Sequence, residues 1–217
     1  MSEILIVDDE RVVRDAFRAF FEEEGFAVRT ASDGVRGVAL FAERRPDLVL
    51  LDVMMPKMDG YRTATAMREL DRETPIVFLS ALGSDEDQIR GLEVGADDYV
   101  VKTASNAVLL ARVRKALERA RRFASVEAPT EMTKIQADIY RLLASERGRF
   151  FSYREIFAAI CGEGYYHDEG TVRTHVSRLR KSLPAGLAIA AKRGRGYALV
   201  EAPLKARRVF DILNPTG

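Results

Sequence analysis

Apolar residues in the first half of the chain come in short dense runs, Ile4 to Val7, Ala27 to Thr30, Leu48 to Leu51, Ile76 to Leu79 and Tyr99 to Val101. Between them lie longer stretches in which apolar positions recur every three or four residues. The runs are too short for helices and do not alternate with polar residues, which predicts strands buried on both faces. Val12 to Glu24 is the clearest of the intervening stretches. Val13, Phe17, Phe20 and Phe21 fall on one side and the charges on the other, the mark of an amphipathic helix. Five strands alternating with five helices predict a doubly wound parallel sheet of the α/β class, because each parallel connection needs a crossover and a helix is its usual form.

The last helix of that series, Asn106 to about Arg122, runs into a stretch without periodicity around Ser125 to Pro129. Three more helical patterns follow, Thr130 to Ser145, Ser152 to Ala159 and Thr171 to Leu183, and then two short apolar runs, Leu187 to Ala191 and Tyr197 to Val200. These flank Lys192-Arg193-Gly194-Arg195-Gly196 as the arms of a hairpin. The expected organisation is a domain over 1–122, a linker over 123–129, a smaller domain over 130–202 and a tail over 203–217. No internal repeat or low-complexity block interrupts it.

The chain of 217 residues, 47% of them hydrophobic, has apolar material for two modest domains. It contains no long apolar run, and the charged stretch Asp8, Asp9, Glu10 and Arg11 comes too early for a signal peptide; the expected location is cytoplasmic, away from membranes. The single cysteine, Cys161, reads as a packed residue. Net charge is near zero overall but unevenly divided: residues 1–122 carry 19 basic and 23 acidic side chains, whereas 123–217 carry 15 and 10. From Thr171 to Tyr197 there are seven basic residues and no acid, which suits a polyanionic partner.

In an open parallel α/β sheet, ligands bind outside the carboxyl ends of the strands. Here the first strand ends in Asp8-Asp9, the third in Asp52, the fourth in Ser80 and the fifth in Lys102. Three converging carboxylates repel one another and call for a hard divalent cation, for which Mg²⁺ is the natural candidate. With that charge offset, one carboxylate can attack a phosphoryl donor while a hydroxyl and an ammonium hold the transferred oxygens. Taken singly, Asp8 or Asp9 also reads as a helix N-cap and Asp52 as a turn residue; it is the joint occurrence at four strand ends that points to phosphoryl transfer.

The stretches ILIVDDE, PDLVLLDVMMPKMDG, PIVFLSA and GADDYVVK resemble the receiver domain of two-component response regulators, over nearly all of residues 2–122. The resemblance implies Asp52 as phosphoacceptor and Asp8, Asp9, Asp52 and the Met54 carbonyl as the Mg²⁺ site. It further implies Ser80, Tyr99 and Lys102 as the switch residues, with Gly60 and Gly95 at turn positions. Two departures stand out. Thr103 replaces the proline that usually follows the lysine through a cis bond. A cis bond before a non-proline costs about 2.5–4 kcal/mol, so a trans bond, a differently placed Lys102 and altered phosphorylation or dephosphorylation kinetics are expected. Relatives also dimerise through the fifth strand and the helices on either side of it. Arg90, Asp97, Asp98, Arg112 and Arg114 match that face, while Val108 stands where an acid is expected.

On Thr171 to Leu183, Val172, Val176, Leu179 and Leu183 share one face and are expected inside, with Thr171 as N-cap. Arg173, Thr174, Ser177, Arg178 and Lys181 are then left outside. A basic, hydroxylated, acid-free helix suits the DNA major groove, and Arg193 and Arg195 at a hairpin tip suit the minor groove or phosphates. TVRTHVSRLRKSL and RGRGYAL resemble the winged-helix effector of the OmpR/PhoB family. That resemblance places His175 against the DNA backbone; packing at a helix boundary is the alternative. The four-stranded sheet with which such effectors begin has no counterpart here, and an apolar tail containing Leu204, Phe210 and Leu213 is expected to cover the surface it leaves.

Together these features predict a non-enzymatic transcriptional regulator. A sensor histidine kinase phosphorylates it on Asp52, and it binds promoter DNA as a homodimer, with RNA polymerase as a further partner. The rival readings are a phosphorylation-independent DNA binder whose receiver serves mainly for dimerisation, an adaptor that no longer reads DNA, and a metal-dependent phosphohydrolase. The last lacks any cap insertion over its site and gives the basic helix no role.

Overall fold

In the computed structural model each apolar run of the first half is a strand: β1 (Glu3–Val7), β2 (Ala27–Ala31), β3 (Leu48–Asp52), β4 (Ile76–Ser80) and β5 (Asp98–Val101). The structure describes residues 1–81, 90–91, 94–123, 126–129, 132–161 and 169–202. All strand pairings are parallel, in the order β2-β1-β3-β4-β5. The crossovers are α1 (Arg11–Glu23), α2 (Gly34–Glu43) and α3 (Gly60–Leu70), and α4 (Asn106–Phe123) follows β5. Most of the helix expected between β4 and β5 lies outside the described residues.

Strand order reverses between β1 and β3, so the crevice beyond their carboxyl ends is where a ligand would sit. Ile4, Ile6, Leu48, Leu50, Val77, Leu79 and Val100 point to one face of the sheet, where Phe21 of α1 and Leu109, Val113 and Leu117 of α4 cover them. Strands β1, β3 and β4 are buried almost throughout. Burial on both faces fails for β2, which is half-buried at one edge of the sheet. There Arg29 fastens the edge, donating to Glu3 Oε1 at 2.8 Å and to the Leu40 carbonyl at 2.9 Å.

The described residues fall into two compact units, one drawn from Met1–Ser125 and Ala159–Tyr166 and the other from Val126–Ala158 and the residues from His167 on. The second contains α5 (Lys134–Ser145), the first two-thirds of α6 (Tyr153–Cys161), α7 (Glu169–Leu179), a 3₁₀ turn over Arg180–Ser182 and the antiparallel hairpin β6 (Leu187–Lys192) with β7 (Gly196–Glu201). Thr133 and Gln136 form a reciprocal capping box at the start of α5, and α5 packs on α7 and β7. Phe151 bridges to Tyr197 through a pair of main-chain hydrogen bonds of 2.8 and 2.9 Å, giving β7 a partner on its second side.

Two expectations about α7 need correction. The helix starts at Glu169, so Thr171 lies inside it rather than capping it, and it tightens to 3₁₀ geometry after Leu179, which leaves Leu183 half-exposed instead of packed. Among the described residues no strand lies between α4 and α5, and no helix is long and apolar enough to cross a membrane. The tail 203–217 and the Cys161 side chain lie outside the described residues.

Candidate functional site

At the reversal point Asp52 closes β3 and Asp8-Asp9 follow β1. Carboxylate oxygens of the three lie within 4.8 Å of one another. Asp8 and Asp52 are buried, at 0% and 2% exposure, and Asp9 is exposed. Main-chain contacts fix the two buried acids. Asp8 Oδ1 accepts from the Glu10 amide at 2.9 Å, and Arg14 Nη1 donates to the Asp8 carbonyl at 2.6 Å. Asp52 Oδ1 accepts from the Met54 amide at 3.3 Å. Neither Asp8 nor Asp9 is the N-cap of α1; Glu10 occupies that position without a side-chain cap. Gly60 begins α3 pressed against this site, and a Cβ there would lie 2.2 Å from the Asp52 carbonyl oxygen.

Lys102, just beyond β5, brings an ammonium to the cluster. Its Nζ lies 2.8 Å from Asp8 Oδ2, 3.1 Å from Asp52 Oδ2 and 3.7 Å from Glu10 Oε1. The contact to Asp8 Oδ2 is an ion pair that lacks the angles of a good hydrogen bond. Burial is the largest influence on Asp52; with the repulsion of Asp8 it outweighs the pull of Lys102 and holds the carboxyl above its ordinary pKa. Burial also disfavours the Lys102 ammonium, but Asp8 and Asp52 more than offset it and raise its pKa, so Lys102 stays charged. Three carboxylates against one ammonium leave negative charge uncompensated among oxygen ligands, and this donor set fits a hard divalent cation such as Mg²⁺.

Ser80 ends β4, fully buried, and its carbonyl accepts from the Lys102 amide at 2.7 Å. Tyr99 is turned inward, 7% exposed, its ring edge-on to Phe78 at 6.1 Å between centroids. Phe78 meets Tyr61 in the same way at 5.3 Å. Among the described residues no peptide bond is cis, so the Lys102–Thr103 bond is trans as expected. Lys102 nonetheless reaches both buried acids.

In the second unit, Val172, Val176 and Leu179 are buried and Arg173, Thr174, Ser177 and Arg178 of α7 are exposed, as is Lys181 of the following turn. His175 is half-buried between the two faces. Arg193 and Arg195 are exposed in the β6–β7 turn, where the Arg195 amide donates to the Lys192 carbonyl at 2.9 Å. Gly194 has φ +75°, the left-handed conformation a type II turn requires at its third position.

Residues 4–114 match the response regulator receiver domain family and residues 127–199 match the family described as transcriptional regulatory protein, C terminal. The phosphate regulon transcriptional regulatory protein PhoB of Rhizobium meliloti is 34% identical over 92% of this chain and 99% of its own length. The transcriptional regulatory protein CpxR of Escherichia coli K12 is 33% identical over 93% of this chain and all of CpxR. The BeF3-activated receiver domain of Klebsiella pneumoniae RstA, a crystal structure, is 39% identical over 53% of this chain and 97% of that one, with a TM-score of 0.51. The chain belongs to the OmpR/PhoB family of response regulators.

On this receiver, the residues matched to the dimer face have partners inside the protomer. Asp97, 3% exposed, pairs with Arg68 at 2.9 Å and Arg119 at 3.1 Å. Asp98, equally buried, meets Arg112 at 3.3 Å, and Arg114 reaches Glu24 at 2.9 Å. Arg90 lies 4.3 Å over the Tyr61 ring. Sequence reasoning missed Arg14, Arg68 and Arg119, whose partners lie far off in the sequence or on the main chain and carry no local signal.

Proposed function

We propose that this response regulator is a phosphorylation-responsive DNA-binding transcriptional regulator, phosphorylated on Asp52 by a sensor histidine kinase. The observation that carries the reading is the buried Asp52 carboxylate at the sheet's reversal point, with Asp8 and Asp9 within 4.8 Å and Lys102 Nζ at 3.1 Å. In the transfer an Asp52 oxygen bonds to phosphorus as the donor histidine's P–N bond breaks, the electron pair staying on the imidazole nitrogen. Asp8, Asp9, Asp52 and the Met54 carbonyl would hold Mg²⁺, whose contribution when bound is to neutralise charge on the phosphoryl oxygens. Lys102 pairs with a phosphoryl oxygen in place of Asp52, and the Ser80 hydroxyl donates to another. Tyr99, edge-on to Phe78 two residues before Ser80, is the third switch residue.

The receiver extends over 1–122, the linker over 123–129, the effector over 130–202 and the tail over 203–217. Arg173, Thr174, Ser177, Arg178 and Lys181 face the major groove of promoter DNA, with His175 at its edge; Arg193 and Arg195 reach the minor groove or phosphates. Phosphorylation shifts the population toward a homodimer that spans a repeated site, through the face bearing Arg90, Asp97, Asp98, Arg112 and Arg114. The protein works in the cytoplasm, with RNA polymerase as its downstream partner. Thr103 favours the rival reading of a phosphorylation-independent regulator, but the reach of Lys102 to Asp52 removes most of its force.

Intact protein given Mg²⁺ and a small phosphodonor should gain an acid-stable, base-labile phosphoryl group that is absent from Asp52→Ala. Labelling that survives the substitution, or no labelling at all, would overturn the signalling half of the proposal. Enrichment of a sequence from random duplex DNA tests the other half.

A further inference from the structure

What α7 can read in DNA depends on which hydrogen-bonding groups its exposed side chains still have to offer, and one of these is already engaged. Thr174 is exposed in α7, yet its hydroxyl donates to the Gly170 carbonyl at 3.0 Å, one turn back. A hydroxyl has one hydrogen. With that hydrogen given to the helix backbone, Thr174 has none for the acceptors of the major groove, guanine O6 and N7, adenine N7 or thymine O4. The other heavy atom on its Cβ is a methyl carbon, and an apolar group in the major groove has one specific partner among the bases, the C5-methyl of thymine. The burial of Val172, Val176 and Leu179 fixes the rotation of the helix, so Thr174 stays on the outer face. Arg178 stands one turn further along that face, also exposed. A helix rises about 1.5 Å per residue, so the two positions are roughly 6 Å apart, about two base pairs at 3.4 Å each.

We infer that Thr174 is a specificity-determining residue that selects a thymine through its methyl group, within about two base pairs of a guanine taken by Arg178. This rests on the DNA-binding reading above. A hydroxyl-donor role for Thr174 makes the opposite demand on the side chain, because serine would keep it and valine would lose it.

The test starts with a site enriched from random duplex DNA by the full-length protein in the presence of Mg²⁺ and a phosphodonor. Affinity is then compared for that site and for copies in which each thymine is replaced by uracil, which removes only the methyl. Wild-type protein should lose about fourfold at one thymine per half-site, the partition value of a single methyl group. Thr174→Val should keep that sensitivity, and Thr174→Ser should bind the thymine and uracil sites equally. The inference is overturned if Thr174→Ser keeps the discrimination while Thr174→Val loses it, or if no uracil effect depends on residue 174. Failure of the underlying reading looks different: wild-type protein enriches no sequence.

Discussion

Replacing Lys102 with methionine isolates the charge balance on which the proposed phosphoacceptor site depends. Lys102 Nζ lies 2.8 Å from Asp8 and 3.1 Å from Asp52, and its own side chain is 18% exposed. At an effective dielectric constant of about 20, each contact carries roughly 5–6 kcal/mol of gross Coulomb attraction. Most of that offsets the desolvation of three charged groups. Removing one partner of a buried ionic cluster costs about 3–5 kcal/mol, because the two carboxylates then face each other without compensation. Against a domain stability on the order of 5–15 kcal/mol, the loss would be plain in hydrogen exchange of the β1 and β3 amides, a readout that follows the receiver alone.

Two further arms separate charge repulsion from a packing defect. Mg²⁺ should restore Lys102→Met more than it stabilises the wild type, since the added cation takes over the neutralising role. Asp52→Asn should stabilise the receiver in EDTA at neutral pH. The sign follows from the raised pKa of Asp52: its contribution to folding is fully present below the ordinary value of 3.8, and is lost as pH rises through the higher folded value. At neutral pH the ionised carboxylate therefore costs stability, and the amide removes that cost. Unchanged exchange in Lys102→Met under EDTA, or an equal response of both proteins to Mg²⁺, would refute this account of the site.

Gly196→Ala should destabilise the effector by about 3 kcal/mol or more, measured by exchange of the β7 amides. Its φ of +96° costs any other L-residue about 1–2 kcal/mol, and a Cβ would lie 1.9 Å from the Phe151 carbonyl, breaking the Phe151–Tyr197 bridge. DNA affinity of the activated protein should fall steeply with salt, with a log-log slope near −7 for about eight phosphate contacts. Arg193→Ala or Arg195→Ala should reduce that slope by about one per contact removed; a slope near zero in the wild type would point to the adaptor reading. Thr103→Pro should change the rate of phosphorylation or dephosphorylation of Asp52, followed by mass spectrometry, and two unchanged rates would show that the residue after Lys102 is without kinetic effect.

The parts of the site that sequence alone revealed are those in which chemistry coincides with the end of an apolar run. Asp8, Asp52, Ser80 and Lys102 each follow or close a hydrophobic strand, so a count of strand ends gathers them before any distance is known. The contacts that tune them had no such marker. Gly60 reads as a turn glycine, and only the folded chain shows that α3 starts against the main chain of Asp52, where no side chain fits. Asp97 and Asp98 show the limit from the other side. Their charge and family position suggested an outward face, yet Asp97 accepts from the Ile76 amide at 3.0 Å and from arginines of α3 and α4. A buried carboxylate serving a strand amide and two guanidiniums ties the start of β4 to both helices that flank it. It follows that a charge change at Asp97 would reach the site through the positions of β4 and β5, which carry Ser80, Tyr99 and Lys102, even if no second protomer ever touched it.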